Sequence, residues 1–172
     1  MPVILDTTVG GAAANAYCSL AEANTYHAGH PYAAVWDAAT DDAKNRALVS
    51  ATRILDEQWE WEGYVQLATQ RLLWPRGGLY YENGWFVPSD VIPEKLKEAT
   101  AEFARQLLAA DRTVDNDVAG QGISQIGVGS VSLAFSGTAK QTKVVPDAVY
   151  FMIRTWGRPR SRGDSYAALV RT

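Results

Sequence analysis

Apolar residues recur at helical spacing in two long stretches of the chain and at alternate positions in a third, and these changes of period give the first outline of the fold. Between Thr40 and Trp59, the residues Ala43, Ala47, Leu48, Ala51, Ile54 and Leu55 share one helical face. Thr40 caps that helix, and Asp41 and Asp42 sit in its first turn, where the helix dipole favours negative charge. A second stripe, Leu96, Ala99, Thr100, Phe103, Leu107 and Leu108, predicts a helix that follows Ser89, Asp90 and Pro93 and runs to about Ala110. Two shorter helices are expected. Ser19 with Glu22 forms a capping box that opens one, closed by Gly29, His30 and Pro31. Pro146 opens the other, through Val149, Tyr150, Ile153 and Trp156, and Gly157-Arg158-Pro159 ends it.

From Ile123 the period becomes two. Ile126 and Val128 alternate with glycines, and Val131, Leu133 and Phe135 alternate with Ser130, Ser132 and Ala134, which predicts a strand kinked near Gly127 and Gly129. Asn83-Gly84 between Tyr80-Tyr81 and Trp85-Phe86-Val87 predicts a small hairpin, because both turn residues tolerate positive φ. Elsewhere the pattern is weaker. Residues 1–18 read as an extended arm with a short strand at Val3 to Leu5, Tyr32 to Trp36 as a loop, and Val65 to Arg71 as a short helix stopped by Leu72 to Gly78. The fold class is therefore mainly α: a small helical bundle with an inserted β-hairpin or extended β arm at about 123–143, and extended N- and C-terminal segments. The helical body is expected over 1–157, with a basic tail over 158–172.

At 172 residues, 47% apolar and 20% charged, the chain has the composition of one ordinary globular domain. Cys18 is its single cysteine, so an internal disulfide and a CxxC motif are both excluded. No basic region followed by an apolar run opens the chain and no 18-residue apolar run occurs, so neither export by that route nor a membrane span is expected. The net charge of −3 conceals a division. Residues 1–139 hold 9 Lys+Arg against 17 Asp+Glu, a net of −8, while residues 140–172 hold 7 against 2, a net of +5. The tail is thus suited to an acidic partner, whereas the body repels DNA.

Candidate chemistry is sparse. There is no GxxxxGK[ST], and neither Gly120-Gln121-Gly122 nor Gly127-Val128-Gly129 continues to a third glycine. His27 and His30 lack acidic or cysteine ligands at metal spacing and read as helix-end histidines; Cys18 reads as buried and inert. Glu57, Glu60 and Glu62 read as a solvated helix end rather than a carboxylate site. No cofactor, metal or catalytic residue is expected. Trp59, Trp61, Trp74 and Trp85, with Tyr64, Tyr80 and Tyr81, crowd one stretch and suit either stacking on single-stranded DNA or a core and subunit interface. Between 56 and 90 only Arg71 and Arg76 stand against Asp56, Glu57, Glu60, Glu62, Glu82 and Asp90, which favours the interface.

Several stretches carry a resemblance. Ala16-Tyr17-Cys18-Ser19-Leu20-Ala21-Glu22-Ala23-Asn24-Thr25-Tyr26, Ala51-Thr52-Arg53-Ile54-Leu55-Asp56 within Ala47 to Trp61, Leu73-Trp74-Pro75-Arg76, and Val87-Pro88-Ser89-Asp90-Val91-Ile92-Pro93 before Lys97-Glu98-Ala99-Thr100 occur in that order. Over residues 15 to about 110 the chain resembles tailed-phage proteins labelled DnaT-like single-stranded-DNA-binding, which also resemble head-to-tail connector (adaptor, head-completion) proteins. The resemblance implies a non-enzymatic virion protein at the neck of the portal vertex, assembled in the host cytoplasm into a ring of twelve copies. It further implies a C-terminal segment that docks on the portal protein and an opposite face that receives the tail or a stopper.

Duplex DNA would pass the acidic channel without specific binding, and no membrane is involved. The expected subunit interface comprises Ile126, Val128, Val131, Leu133, Phe135, Lys140, Lys143 and Trp85, with protruding elements reaching a neighbour. The expected portal-docking residues are Arg158, Arg160, Arg162, Tyr166, Leu169, Val170 and Arg171. The alternative is a replication accessory that binds single-stranded DNA through its tryptophans and basic tail.

Overall fold

The computed structural model describes residues 2–113 and 143–160, together with the backbone of two strands at 125–128 and 131–134. Five α-helices are described: α1 (Leu20–Ala28), α2 (Ala34–Ala38), α3 (Asp41–Gln58), α4 (Glu94–Ala109) and α5 (Asp147–Ile153). Six short strands accompany them: β1 (Trp59–Trp61), β2 (Tyr64–Val65), β3 (Arg76–Gly77), β4 (Gln125–Val128), β5 (Val131–Ala134) and β6 (Gly157–Pro159). They pair antiparallel as β1–β6, β2–β3 and β4–β5. The mainly helical expectation therefore holds, and among the described residues no helix is long and apolar enough to cross a membrane.

Helix α4 is the axis of the body. Its middle turns, Ala99 to Ala104, are buried all round, because α3, α1, α2 and α5 each pack against it. The alanines at 99, 101 and 104 keep its surface narrow enough for that many neighbours. Helix α3 supplies the facing stripe of Ala47, Leu48, Ala51, Thr52, Ile54 and Leu55. Capping follows the sequence. Ser19 Oγ accepts from the Glu22 N–H while the Glu22 carboxylate accepts from the Ser19 N–H, and Thr40 accepts from the Ala43 N–H. Glu22 is also held by Lys97 Nζ at 2.6 Å, so the cap of α1 is tied to α4.

Four expectations are corrected. Residues 2–18 form no strand at Val3 to Leu5, and the segment is tied to the body: Val3 N–H donates to Asp42, Asn45 donates to the Val3 carbonyl, and Ala14, Ala16, Tyr17 and Cys18 are buried. Trp36 lies on the one-turn helix α2, not in a loop, and its buried ring packs 4.4 Å from His27. Val65 to Arg71 is not a helix. There the Gln70 side chain accepts from the Leu67 N–H and donates to the Leu72 and Pro75 carbonyls, satisfying the backbone by turns instead. Finally, residues 157–159 belong to the body: β6 pairs with β1, and the Arg160 N–H donates to Gln58 O at 2.8 Å. A side chain at Gly157 has no room there, since its Cβ would fall 2.3 Å from Glu60 O.

A buried polar network joins α1 to α4. Glu102, almost inaccessible, accepts from Arg105, from Gln106 at 2.8 Å, and lies 3.6 Å from His30 Nε2; His27 Nε2 donates to the Ala101 carbonyl at 3.1 Å. Burial pushes the Glu102 carboxyl up, but the hydrogen bonds from Arg105 and Gln106 and the nearby charges outweigh it and hold the group below its ordinary 4.5. A carboxylate more acidic when folded stabilises the fold above its unfolded pKa, and that contribution is lost as pH falls through the folded value. Denaturant unfolding followed between pH 7 and 3 should accordingly show stability declining below about pH 4.5, and Glu102→Gln should flatten that decline while lowering stability at pH 7.

Candidate interaction surface

The surface is built on a hairpin. Asn83-Gly84 makes the turn, with Gly84 at φ 83°, and the arms close through Tyr81 N–H to Trp85 O (2.8 Å), Val87 N–H to Leu79 O (2.9 Å) and the bridge Tyr80↔Phe86. Inward-facing Leu79 and Val87 are buried; outward-facing Tyr80, Trp85 and Phe86 are 59%, 75% and 51% exposed. Alternation across the pleat separates the pair Leu79 and Val87 from the pair Tyr80 and Phe86, while Trp85, opposite Tyr81 and next to the turn, is exposed at the hairpin's end. The Tyr80 and Phe86 rings meet edge-on at 5.6 Å.

The hairpin is anchored on two sides. Trp156 Nε1 donates to Tyr80 O at 3.0 Å, Thr155 Oγ1 donates to Glu82, and Lys95 at the start of α4 lies 3.5 Å from Glu82. Phe151 on α5 is 58% exposed and carries the Arg154 guanidinium over its ring at 5.4 Å. Tyr80 is among the aromatics the sequence points to, whereas Phe86, Phe151 and Arg154 are not. The signal available for the last two is an aromatic three residues before an arginine in the last helix.

The other tryptophans are not at the surface. Trp59, Trp61, Trp74 and Trp156 are buried; Trp61 meets Trp74 edge to face at 5.6 Å, Trp74 meets Trp156 likewise at 5.5 Å, and Trp59 lies tilted on Trp61 at 6.0 Å. They rest on one polar hub. Asp56, at the end of α3, accepts from Tyr17 Oη, from Trp61 Nε1 at 3.2 Å and from the Leu73 N–H at 3.1 Å. Burial raises its carboxyl above the ordinary range against the pull of those three donors and of Arg76. Arg76 is itself buried, and its guanidinium donates to the carbonyls of Glu62, Leu73, Trp61 and Gly63. Neither the Trp59/Trp61/Trp74 platform nor Arg76 is therefore presented to a nucleic acid.

The remaining candidates fall as follows. Glu60 pairs with Arg158 at 2.8 Å across β1–β6, Glu57 approaches Arg53 at 3.8 Å, and both are exposed, so the carboxylate cluster is a solvated edge. Cys18 is buried beside Glu22, and burial pushes its thiol up to about 12, which keeps it protonated and inert. Among the described residues no cluster of His, Cys, Asp and Glu could hold a metal. Arg158 and Arg160 lie on the body at β6, where Arg160 Nε donates to Trp59 O at 3.3 Å. Lys143 pairs with Asp147 at 2.6 Å. Strands β4 and β5 pair with Ile126 opposite Leu133 and Val128 opposite Val131, so the expected β arm contains a hairpin rather than one kinked strand. Phe135, Lys140, Arg162, Tyr166, Leu169, Val170 and Arg171 lie outside the described residues.

All of residues 1–172 match a protein family described as “Putative DnaT-like ssDNA binding protein”. The chain belongs to this family. No curated protein matches the chain, and no solved structure does. For the DnaT-like chain, the structure leaves one accessible tryptophan, Trp85, against five buried ones. Acrylamide should therefore quench only a minor, single class of its fluorescence, and Trp85→Phe should abolish most of that quenching without changing thermal stability. Strong residual quenching in the variant would mean that the buried cluster is accessible.

Proposed function

We propose that the chain is a non-enzymatic assembly protein, a connector that joins copies of itself and bridges the portal of a tailed-phage capsid to the next neck component. The observation that supports this reading is the division of the aromatics. Trp59, Trp61 and Trp74 are spent on the core, while Tyr80, Trp85 and Phe86 stand out on a rigid hairpin whose nearest sequence charges are Glu82 and Asp90. The hairpin carries no cation of its own, and the two beside it, Lys95 on Glu82 and Arg154 over Phe151, are engaged within the chain, so the exposed aromatic patch suits a protein partner. The segment beyond Arg160, with Arg162 and Arg171 against Asp164 and the apolar run Tyr166 to Val170, is then the element for the portal surface. Truncation after Arg160 keeps β6 and the Arg160–Gln58 bond. The truncated chain should melt like the full chain but no longer co-sediment with portal particles; unchanged co-sedimentation would remove the tail from this role.

A second reading is favoured by the family's description, which speaks of single-stranded DNA and so backs that alternative over the connector. In it, the chain is a replication accessory in which Trp85, flanked by Tyr80 and Phe86, stacks on bases and the basic C-terminal segment meets phosphates. Titration with a single-stranded oligonucleotide separates the two. Binding would quench the Trp85 emission and weaken steeply with salt, with a slope of about −0.7 per phosphate neutralised; under the connector reading the emission stays unchanged at physiological salt.

A further inference from the structure

Of the five asparagines in the chain, only Asn83 precedes a glycine; the others precede Ala16, Thr25, Arg46 and Asp117. An asparagine carboxamide lies within reach of the backbone nitrogen of the next residue, and a following glycine leaves that nitrogen unshielded by a Cβ. The structure sets Asn83 apart further. Asn15 Nδ2 donates to Ile4 O, Asn45 Nδ2 donates to Val3 O, and Asn24 Oδ1 accepts from Trp36 Nε1, so each of these carboxamides is tied to another part of the chain. Asn83 and Gly84 are exposed, Asn83 Nδ2 has no partner among the described residues, and no atom lies within 4 Å of the position a Cβ would take on Gly84.

We propose that Asn83 and Gly84 form a self-modifying turn, in which the Gly84 backbone nitrogen attacks Asn83 Cγ and the side-chain amide is lost as ammonia. The N–Cγ bond forms, the Cγ–Nδ2 bond breaks, and the proton of the Gly84 N–H departs with Nδ2. Solvent water then opens the succinimide ring. Cleavage at Cγ gives aspartate at position 83, and cleavage at the backbone carbonyl gives an isoaspartyl link that runs through the former side chain. Water is the sole co-reactant.

Two bonds of the turn bear on this step. Asn83 Oδ1 accepts from the Trp85 N–H at 3.1 Å, so a donor already sits on the oxygen that gains negative charge as the ring closes. The same bond folds the carboxamide back along the backbone. Opposing the step, the Gly84 N–H donates to Tyr81 O at 2.9 Å and must first be released. That bond lies at the exposed tip of the hairpin, where local opening costs little. Either product adds a carboxylate next to Glu82 and close to Trp85. The isoaspartyl form also lengthens the main chain by one carbon inside the closure made by the Tyr81–Trp85 bond and the Tyr80↔Phe86 bridge. The exposed aromatic face is therefore the surface that the modification alters, whether that face meets a protein or single-stranded DNA.

Ageing the full-length chain tests this. The folded protein is kept in mildly alkaline buffer, and each asparagine is followed by peptide mass spectrometry. Isoaspartyl product is counted by methyl transfer from S-adenosylmethionine with an isoaspartyl methyltransferase. Asn83 should convert roughly tenfold or more faster than Asn15, Asn24 or Asn45, and methyl acceptance should grow in step. The same measurement in guanidinium chloride separates the contribution of the fold: Asn83 should change its rate by less than about tenfold on unfolding.

Asn83→Gln should remove the methyl-accepting product with a melting temperature close to wild type; should that variant melt lower, the site mapping in wild type decides alone. Asn83 intact in the folded chain but converted in guanidinium chloride would overturn the proposal, because the Tyr81 bond would then shield the turn. Equal conversion at Asn24, which is also exposed, or undiminished methyl acceptance in Asn83→Gln would overturn it as well.

Discussion

One buried carboxylate organises the middle of this chain. Asp56 closes α3 and gathers Tyr17 from the N-terminal segment, Trp61 from β1 and the Leu73 backbone from the long connection to β3. Twenty residues on, Arg76 does the complementary work by donating to the carbonyls of Trp61, Glu62, Gly63 and Leu73. Breaking such a buried group from its partners costs far more than a surface ion pair, because the desolvated charge is left without compensation. Residues 59–77, with two strands of two residues and one of three, have too little regular structure to hold themselves. They are ordered by these two side chains, and the tryptophan cluster then packs on the surface so formed.

The parts of the fold legible in the sequence were those governed by local chemistry. The Ser19–Glu22 box, the Thr40 cap, the stripes of α3 and α4 and the Asn83-Gly84 turn each need only a few neighbouring residues, and each is found. What escaped was long-range. Nothing near Trp59 announces Pro159, its partner across β1–β6, and nothing in residues 2–18 announces Asp42 and Asn45 as their anchors. Helix α2 escaped for a different reason: one turn without a side-chain cap has no sequence signature, and it forms because Trp36 has a place beside His27.

The interaction surface was half legible. The hairpin follows from turn chemistry and alternation, but the sequence gives no means of telling the exposed Trp85 from the buried Trp59, Trp61 and Trp74, which cluster in the same stretch. Burial separates them, and burial here is decided by the hub at Asp56 and by β6 lying across Trp59 and Trp61. Family membership adds a nucleic-acid description that the arrangement of aromatics and charges does not by itself suggest.

The pairing of β6 with β1 also governs the order of events at the ribosome. Arg158 meets Glu60 from 98 residues away, so the cover that Gly157 lays on Trp59 comes only when nearly the whole body has been synthesised. The strand that closes the core is thus the last part of the body to be made, and a chain truncated before residue 157 lacks its cover for Trp59.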